Sequence, residues 1–158
     1  MTNLVCKQVL PSDRDLIAQI SEWYFKEWQV SKERTTQRLT DQSPDDMHFH
    51  LALMEGETPV ATGGLYNRVG LLFNQPRFKI YGPWVGLVYT APEKRKSGFG
   101  GEILKEIEVR AAALGITTSY LYTHTAESLY SKKGWKTFET TEHNDHTVVL
   151  MKKELKSE

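Results

Sequence analysis

The chain has 158 residues, enough for one domain with a sizeable core, and its 39% hydrophobic and 25% charged residues are those of a globular chain. Lysine plus arginine equals aspartate plus glutamate, 20 against 20, which argues against a nucleic-acid partner, since that asks for a basic stripe. Cys6 is the only cysteine, so no intrachain disulfide forms and a reducing compartment fits.

The segment Met1 to Lys7 lacks the basic start and apolar run of a signal peptide. No stretch approaches the ~18 apolar residues of a membrane span. A cytoplasmic protein with no membrane partner is expected.

In chain order, Leu4 to Val9 alternates apolar positions and reads as a first or edge strand. Ser12 is placed to cap a helix, with Asp13 and Asp15 in its first turn. Leu16, Ile17, Ile20, Trp23, Tyr24 and Trp28 follow at helical spacing. Ser31 caps a second helix over Glu33 to Leu39, before the polar break Asp41-Gln42-Ser43-Pro44. His48 to Met54 and Pro59 to Tyr66 read as a hairpin around Glu55-Gly56-Glu57. Residues 69–82 read as a loop that lines a substrate cleft.

Trp84 to Thr90 is a strand that stops at Ala91-Pro92. Ile103, Leu104, Ile107, Ala111 and Leu114 mark one face of a helix that ends at Gly115. Ser119 to Thr123 is a strand, and Ala126 to Lys133 a short helix closed by Gly134. Trp135 to Thr141 and Thr147 to Lys153 form a last antiparallel pair around Glu142-His143-Asn144-Asp145. No repeat, low-complexity stretch or linker divides the chain, so one mixed α/β domain covers residues 1–158.

The richest stretch runs from a strand through Pro92 and Arg95-x-x-Gly98-x-Gly100 into a helix. Glycines let backbone approach a ligand closely. Unpaired N–H groups at a helix start, together with the helix dipole, favour an anion. Lys94, Arg95 and Lys96 add positive charge. A P-loop is absent, and the dinucleotide fingerprint fails because position 103 is isoleucine where it needs glycine. On local chemistry alone the glycines serve equally as a structural turn or as a phosphate cradle.

The stretch Val88-Tyr89-Thr90-Ala91-Pro92-Glu93-Lys94-Arg95-Lys96-Ser97-Gly98-Phe99-Gly100-Gly101 resembles the strand, Arg/Gln-x-x-Gly-x-Gly/Ala loop and helix of the GCN5-related N-acetyltransferase (GNAT) superfamily. Leu129-Tyr130-Ser131-Lys132-Lys133-Gly134-Trp135 is similar to a second block of that family, at the usual distance. The N-terminal strand, helix pair and hairpin follow the family order as well. The resemblance implies the acyl-CoA N-acyltransferase fold: a twisted, mostly antiparallel sheet flanked by helices.

It also implies acetyl transfer from acetyl-CoA to a primary amine of a small molecule, peptide or protein, by direct attack and without a metal. The pantetheine arm would pair with Val88, Tyr89 and Thr90, between the strands 85–90 and 119–123. The pyrophosphate would rest on Arg95, Lys96, Ser97, Gly98, Phe99, Gly100 and Gly101. Tyr130 stands at the family's tyrosine position, which makes it the candidate general acid and a cofactor contact.

The strand Trp84–Thr90 has no carboxylate, so the base is left open between His124 at the end of the next strand and a water chain. Thr123 stands where many relatives carry an asparagine that contacts the coenzyme. Two rival readings remain: a CoA-binding sensor without turnover, and transfer to a hydroxyl or of a longer acyl group. Many relatives pair as homodimers, and the sequence leaves the oligomeric state open.

Other residues have plainer readings. His48, His50, His143 and His146 are expected to be surface histidines, because neither pair has a third metal ligand at suitable spacing. Cys6 is an ordinary semi-buried thiol. Trp23, Tyr24 and Trp28 read as core residues from their helical spacing; the GNAT resemblance implies that, with the 69–82 segment, they would also shape the acceptor pocket. Glu22 and Glu27 either face solvent or offer charge to an amine. Glu27-Trp28-Gln29-Val30-Ser31 and Tyr122-Thr123-His124-Thr125 are similar to a branch that includes N-terminal actin acetyltransferases. The similarity is too short to carry that substrate over.

Overall fold

The computed structural model describes residues 3–156. Its elements are β1 (Leu4–Gln8), α1 (Arg14–Trp28), α2 (Lys32–Asp41), β2 (Met47–Glu55), β3 (Thr58–Tyr66), α3 (Gly70–Asn74), β4 (Trp84–Thr90), α4 (Phe99–Ala113), β5 (Thr118–Thr123), α5 (Glu127–Ser131), β6 (Lys136–His143) and β7 (His146–Glu154). They build one seven-stranded sheet in the order β1-β2-β3-β4-β5-β7-β6. Every neighbouring pair is antiparallel except β4 and β5.

Both faces of the sheet are covered, which is why β2 and β3 are buried along nearly their whole length. On one face Phe49, Leu51, Leu53, Val60, Ala61 and Leu65 meet Ile103, Leu104 and Ile107 of α4. On the other, Ala52 and Tyr66 meet Ile17, Ile20, Trp23, Tyr24 and Leu39 from α1 and α2. A third cluster joins Leu71, Leu72 and Phe78 to Trp84, Val148 and Leu150. Side-chain alternation along the strands sorts residues between these layers.

Several local readings are corrected. Asp13 rather than Ser12 holds the cap position of α1, and its carboxylate does not cap the helix. It accepts instead from Leu10 N–H and Lys7 Nζ, both at 2.8 Å. Ser31 does cap α2, accepting from Arg34 N–H at 3.1 Å. The 69–82 segment is not a plain loop: α3 and a 3-10 turn over Pro76–Ile80 occupy most of it. Their apolar residues Leu71, Leu72 and Phe78 need burial, and wrapping a turn over the sheet supplies it. The last hairpin is tighter than expected. Glu142 and His143 lie in β6, and only Asn144 (φ 50°) and Asp145 (φ 64°) turn the chain, a two-residue left-handed turn suited to those residue types.

Candidate active site

The site begins with a break in the sheet. β4 and β5 run parallel but pair at one position only, Trp84 with Tyr120, with Tyr120 N–H donating to Pro83 O at 3.0 Å. Beyond that bridge the two strands part, leaving an open gap toward their C-terminal ends. An open gap beside a parallel pair is the place where an α/β sheet holds a ligand.

A bulge in β4 sits at the start of the gap. Thr62 pairs with Tyr89 and Gly64 with Gly86, so Leu87 and Val88 together oppose Gly63 alone. Leu87 takes a left-handed backbone, φ 59°. The extra residue resets the alternation: Val85 and Val88 pack toward α4, whereas Leu87 and Tyr89 pack toward α1. A Cβ on Gly63 would stand 3.1 Å from both Val88 Cγ2 and Ile107 Cδ1, a tight fit that those side chains would have to yield to.

The glycine loop closes one end of the gap. Gly98 caps α4 with φ 83°, and nothing lies within 4 Å of where its Cβ would be. Among the described residues, no backbone oxygen accepts the N–H of Lys96 through Gly101. That row of donors, backed by the α4 dipole, is chemically suited to hold an anion.

The basic triplet divides its work. Lys94 Nζ is tied to Glu55 at 2.7 Å, and Arg95 reaches back to Glu27 on α1 at 2.9 Å. Arg95 Nε also donates to Thr90 O at 3.1 Å, and its guanidinium lies 5.2 Å from the centre of the Tyr89 ring. Only Lys96 of the three lacks a carboxylate partner among the described residues. Lys133, unmarked in the sequence reading, adds a second cation: its Nζ is 2.9 Å from where a Cβ on Gly101 would stand.

The remaining expected residues occupy defined places. Val88 is half-buried, Tyr89 is buried, and Thr90 Oγ1 lies 3.5 Å from the Cβ position of Gly100. Tyr130 is half-buried on α5 with its ring edge toward Trp135, and burial raises its phenol above the usual value. It therefore keeps its proton at neutral pH. His124 is exposed just past β5, stacked 4.2 Å from His146, and its Nδ1–H donates to Thr147 O at 3.0 Å. That bond leaves Nε2 with the free lone pair. Thr123 Oγ1 accepts from Ala126 N–H at 3.1 Å and shapes the entry to α5. Glu22 is held by Lys26 and Lys32, so neither helix glutamate stands free.

His50 corrects the surface reading outright. It is fully buried, because β2 is covered on both faces. Its Nδ1 accepts from Tyr66 Oη at 2.7 Å, and its Nε2–H donates to Thr62 Oγ1 at 2.8 Å. Thr62 spends its own proton on Leu51 O at 2.7 Å, which fixes the tautomer. Desolvation lowers the His50 pKa to about 3, so the ring is neutral. A polar residue inside the apolar run Phe49–Leu53 was the signal available in the sequence. His48, His143 and His146 lie at or near the surface, and no cluster of three metal-ligating side chains exists among the described residues.

Comparison with known proteins decides the family. A model of the acetyltransferase (GNAT) family matches residues 17–135, most of the chain. The protein belongs to the GNAT family. Its fold is that of the GNAT acyl-CoA N-acyltransferases. An aminoglycoside 6'-N-acetyltransferase complexed with coenzyme A superposes at TM-score 0.74 and 16% identity, over 95% of this chain and 96% of that one. The aminoglycoside 6'-N-acetyltransferase from Enterococcus faecium gives 0.74 at 17% identity, with 95% and 96% covered. The ribosomal-protein-S18-alanine N-acetyltransferase from Escherichia coli gives 0.71 at 11%, with 97% and 94% covered. No curated protein sequence matches this GNAT chain. No helix among the described residues is long and apolar enough to cross a membrane.

Proposed function

We propose that this GNAT chain transfers the acetyl group of acetyl-CoA to a primary amine, by direct attack within the gap between β4 and β5. The observation that carries the reading is the row of unpaired N–H groups from Lys96 to Gly101 at the mouth of that gap. A pyrophosphate fits such a row: its N–H groups have no backbone acceptor, Gly98 leaves room, and Lys133 stands beside Gly101. Arg95 serves by bracing the loop against α1 through Glu27. The open edge of β4 at Val88, Tyr89 and Thr90 suits an extended, amide-bearing arm that adds to the sheet as a strand would.

In the transfer itself a bond forms between the amine nitrogen and the acetyl carbon as the carbon–sulfur bond breaks. Tyr130 gives its phenolic proton to the departing sulfur; an ordinary phenol (pKa ~10) is a weaker acid than a thiol (~8.5), and burial raises Tyr130 further, so the proton passes only as thiolate charge builds on the sulfur. His124 takes the proton from the amine at Nε2, the nitrogen that its bond to Thr147 leaves free. No metal enters this scheme. The acceptor is a small molecule, a peptide or a protein N-terminus; the structural neighbours named above include both an aminoglycoside enzyme and a protein-alanine enzyme.

Calorimetric titration with acetyl-CoA and with CoA tests the ligand, and release of thiol with a panel of amines tests the reaction. Micromolar binding with turnover is expected. Absence of binding would overturn the reading. Binding without turnover would leave the second reading, a CoA sensor, which the absence of a carboxylate on β4 and the pairing of both α1 glutamates with cations favour. In Tyr130→Phe we expect kcat to fall about tenfold to a hundredfold at nearly constant acetyl-CoA affinity. Unchanged kcat would remove Tyr130 from the mechanism.

A further inference from the structure

The bulge in β4 is held open by a residue that no motif marks. Leu87 is bulky, yet it adopts φ 59°, a conformation that costs an L-residue about 1–2 kcal/mol. Such a residue persists only where its surroundings over-determine it. The surroundings here are specific. The Tyr24 hydroxyl donates to Leu87 O at 2.5 Å, and Tyr24 is 1% exposed.

The Tyr24 ring has little room to move away. It stacks on Trp28 at 5.2 Å and meets Tyr89 edge-on at 6.2 Å. Its oxygen lies 3.4 Å from His50 Nε2, at the end of the buried chain formed by Tyr66, His50 and Thr62. Gly64 makes space for that chain, since a Cβ there would stand 2.6 Å from His50 Nδ1. The network thus reaches from the sheet interior to one carbonyl, at the point where β4 breaks register.

We propose that Tyr24 is a positioning residue for the acyl-transfer site, fixing the Leu87–Val88 peptide through its hydrogen bond to Leu87. The proposal rests on the acetyl-transfer reading for its catalytic consequence. The carbonyl of Leu87 and the N–H of Val88 belong to one amide group, so a hydroxyl bound to the first polarises the second and makes it a stronger donor. Val88 is also a residue assigned to the acyl-CoA arm. Tyr24 therefore sets both the direction and the donor strength of the backbone at the start of the gap, from a helix that itself borders the acceptor side. A tyrosine present only to fill the core would act through its ring alone.

Tyr24→Phe keeps the ring and removes the hydroxyl. In the ligand-free protein, exchange of the Val88 amide should change severalfold as its peptide loses the hydroxyl, with β2 and β3 amides unchanged. In turnover, kcat should fall about tenfold to a hundredfold while acetyl-CoA affinity stays within about threefold. Adding Leu87→Gly, which takes positive φ without strain, should restore a large part of the lost kcat. Unchanged Val88 exchange or unchanged kcat in Tyr24→Phe would overturn the proposal. So would a parallel fall of kcat and affinity that Leu87→Gly does not repair. Lack of turnover in the wild type would instead overturn the acetyl-transfer reading, and the exchange measurement would still judge Tyr24.

Discussion

Gly98 shows how one residue carries two demands at once. Its φ of 83° suits glycine, and the space around its Cβ position is empty, so any cost of substitution is backbone strain rather than collision. Gly98→Ala should destabilise the fold by about 1 kcal/mol in urea denaturation. It should also weaken acetyl-CoA binding, because the left-handed turn aims the cradle's N–H groups. Unchanged affinity would remove the turn from the binding site. This glycine was legible in the sequence through its spacing from Gly100 and the helix that follows. Lys133 was not: it is distant in sequence from the loop and meets Gly101 only through the packing of α5 and β6.

At the scale of elements, α1 is bound to the glycine loop by the Glu27–Arg95 pair. With 46% and 39% of its side chains exposed, this pair contributes at most about 0.5 kcal/mol to stability. Its effect lies in placing the loop. Glu27→Gln should leave the thermal midpoint within measurement error yet lower acetyl-CoA affinity severalfold, as read by calorimetry; equal affinity would show that the loop holds its shape unaided. The long elements were legible because their periodicity is strong: six apolar residues at helical spacing announce α1, and the apolar strand residues 49–53 and 84–90 announce β2 and β4. The α3 segment was not, because five residues between Val69 and Gln75 show no period and carry no capping side chain. The bulge in β4 was hidden for a related reason. Leu87 looks like any strand leucine, and only pairing against Gly63 exposes the extra residue.

For the whole molecule the buried histidine sets the response to acid. His50 has a folded pKa of about 3 against an ordinary 6.5, so below pH 6.5 the unfolded chain binds a proton that the folded chain refuses. Stability is then flat above pH 6.5 and falls as pH drops toward 3. Between pH 7 and pH 5 this one group costs about 2 kcal/mol. Urea midpoints of the wild type and of His50→Gln, compared at the two pH values, check the sign: the variant should lose most of the slope. An equal slope in both proteins would place the acid sensitivity elsewhere. That a histidine in an apolar strand would be deeply buried follows from coverage of both sheet faces, a property of the assembled layers rather than of residues 47–55.

The single bridge between β4 and β5 has a thermodynamic consequence for the molecule. Strands β1 to β4 form one ladder and β5 to β7 another, and only the Trp84–Tyr120 pair joins them within the sheet. The two ladders are therefore held together mainly by side-chain packing, through the cluster of Trp84 with Val148 and Leu150 and through the core under α4, rather than through a continuous hydrogen-bonded plane. A ligand lying in the gap supplies the missing rungs. It raises stability by mass action, and it adds backbone hydrogen bonds between ladders that side chains otherwise join, so that protection of the β4 and β5 amides against exchange should rise as the gap fills.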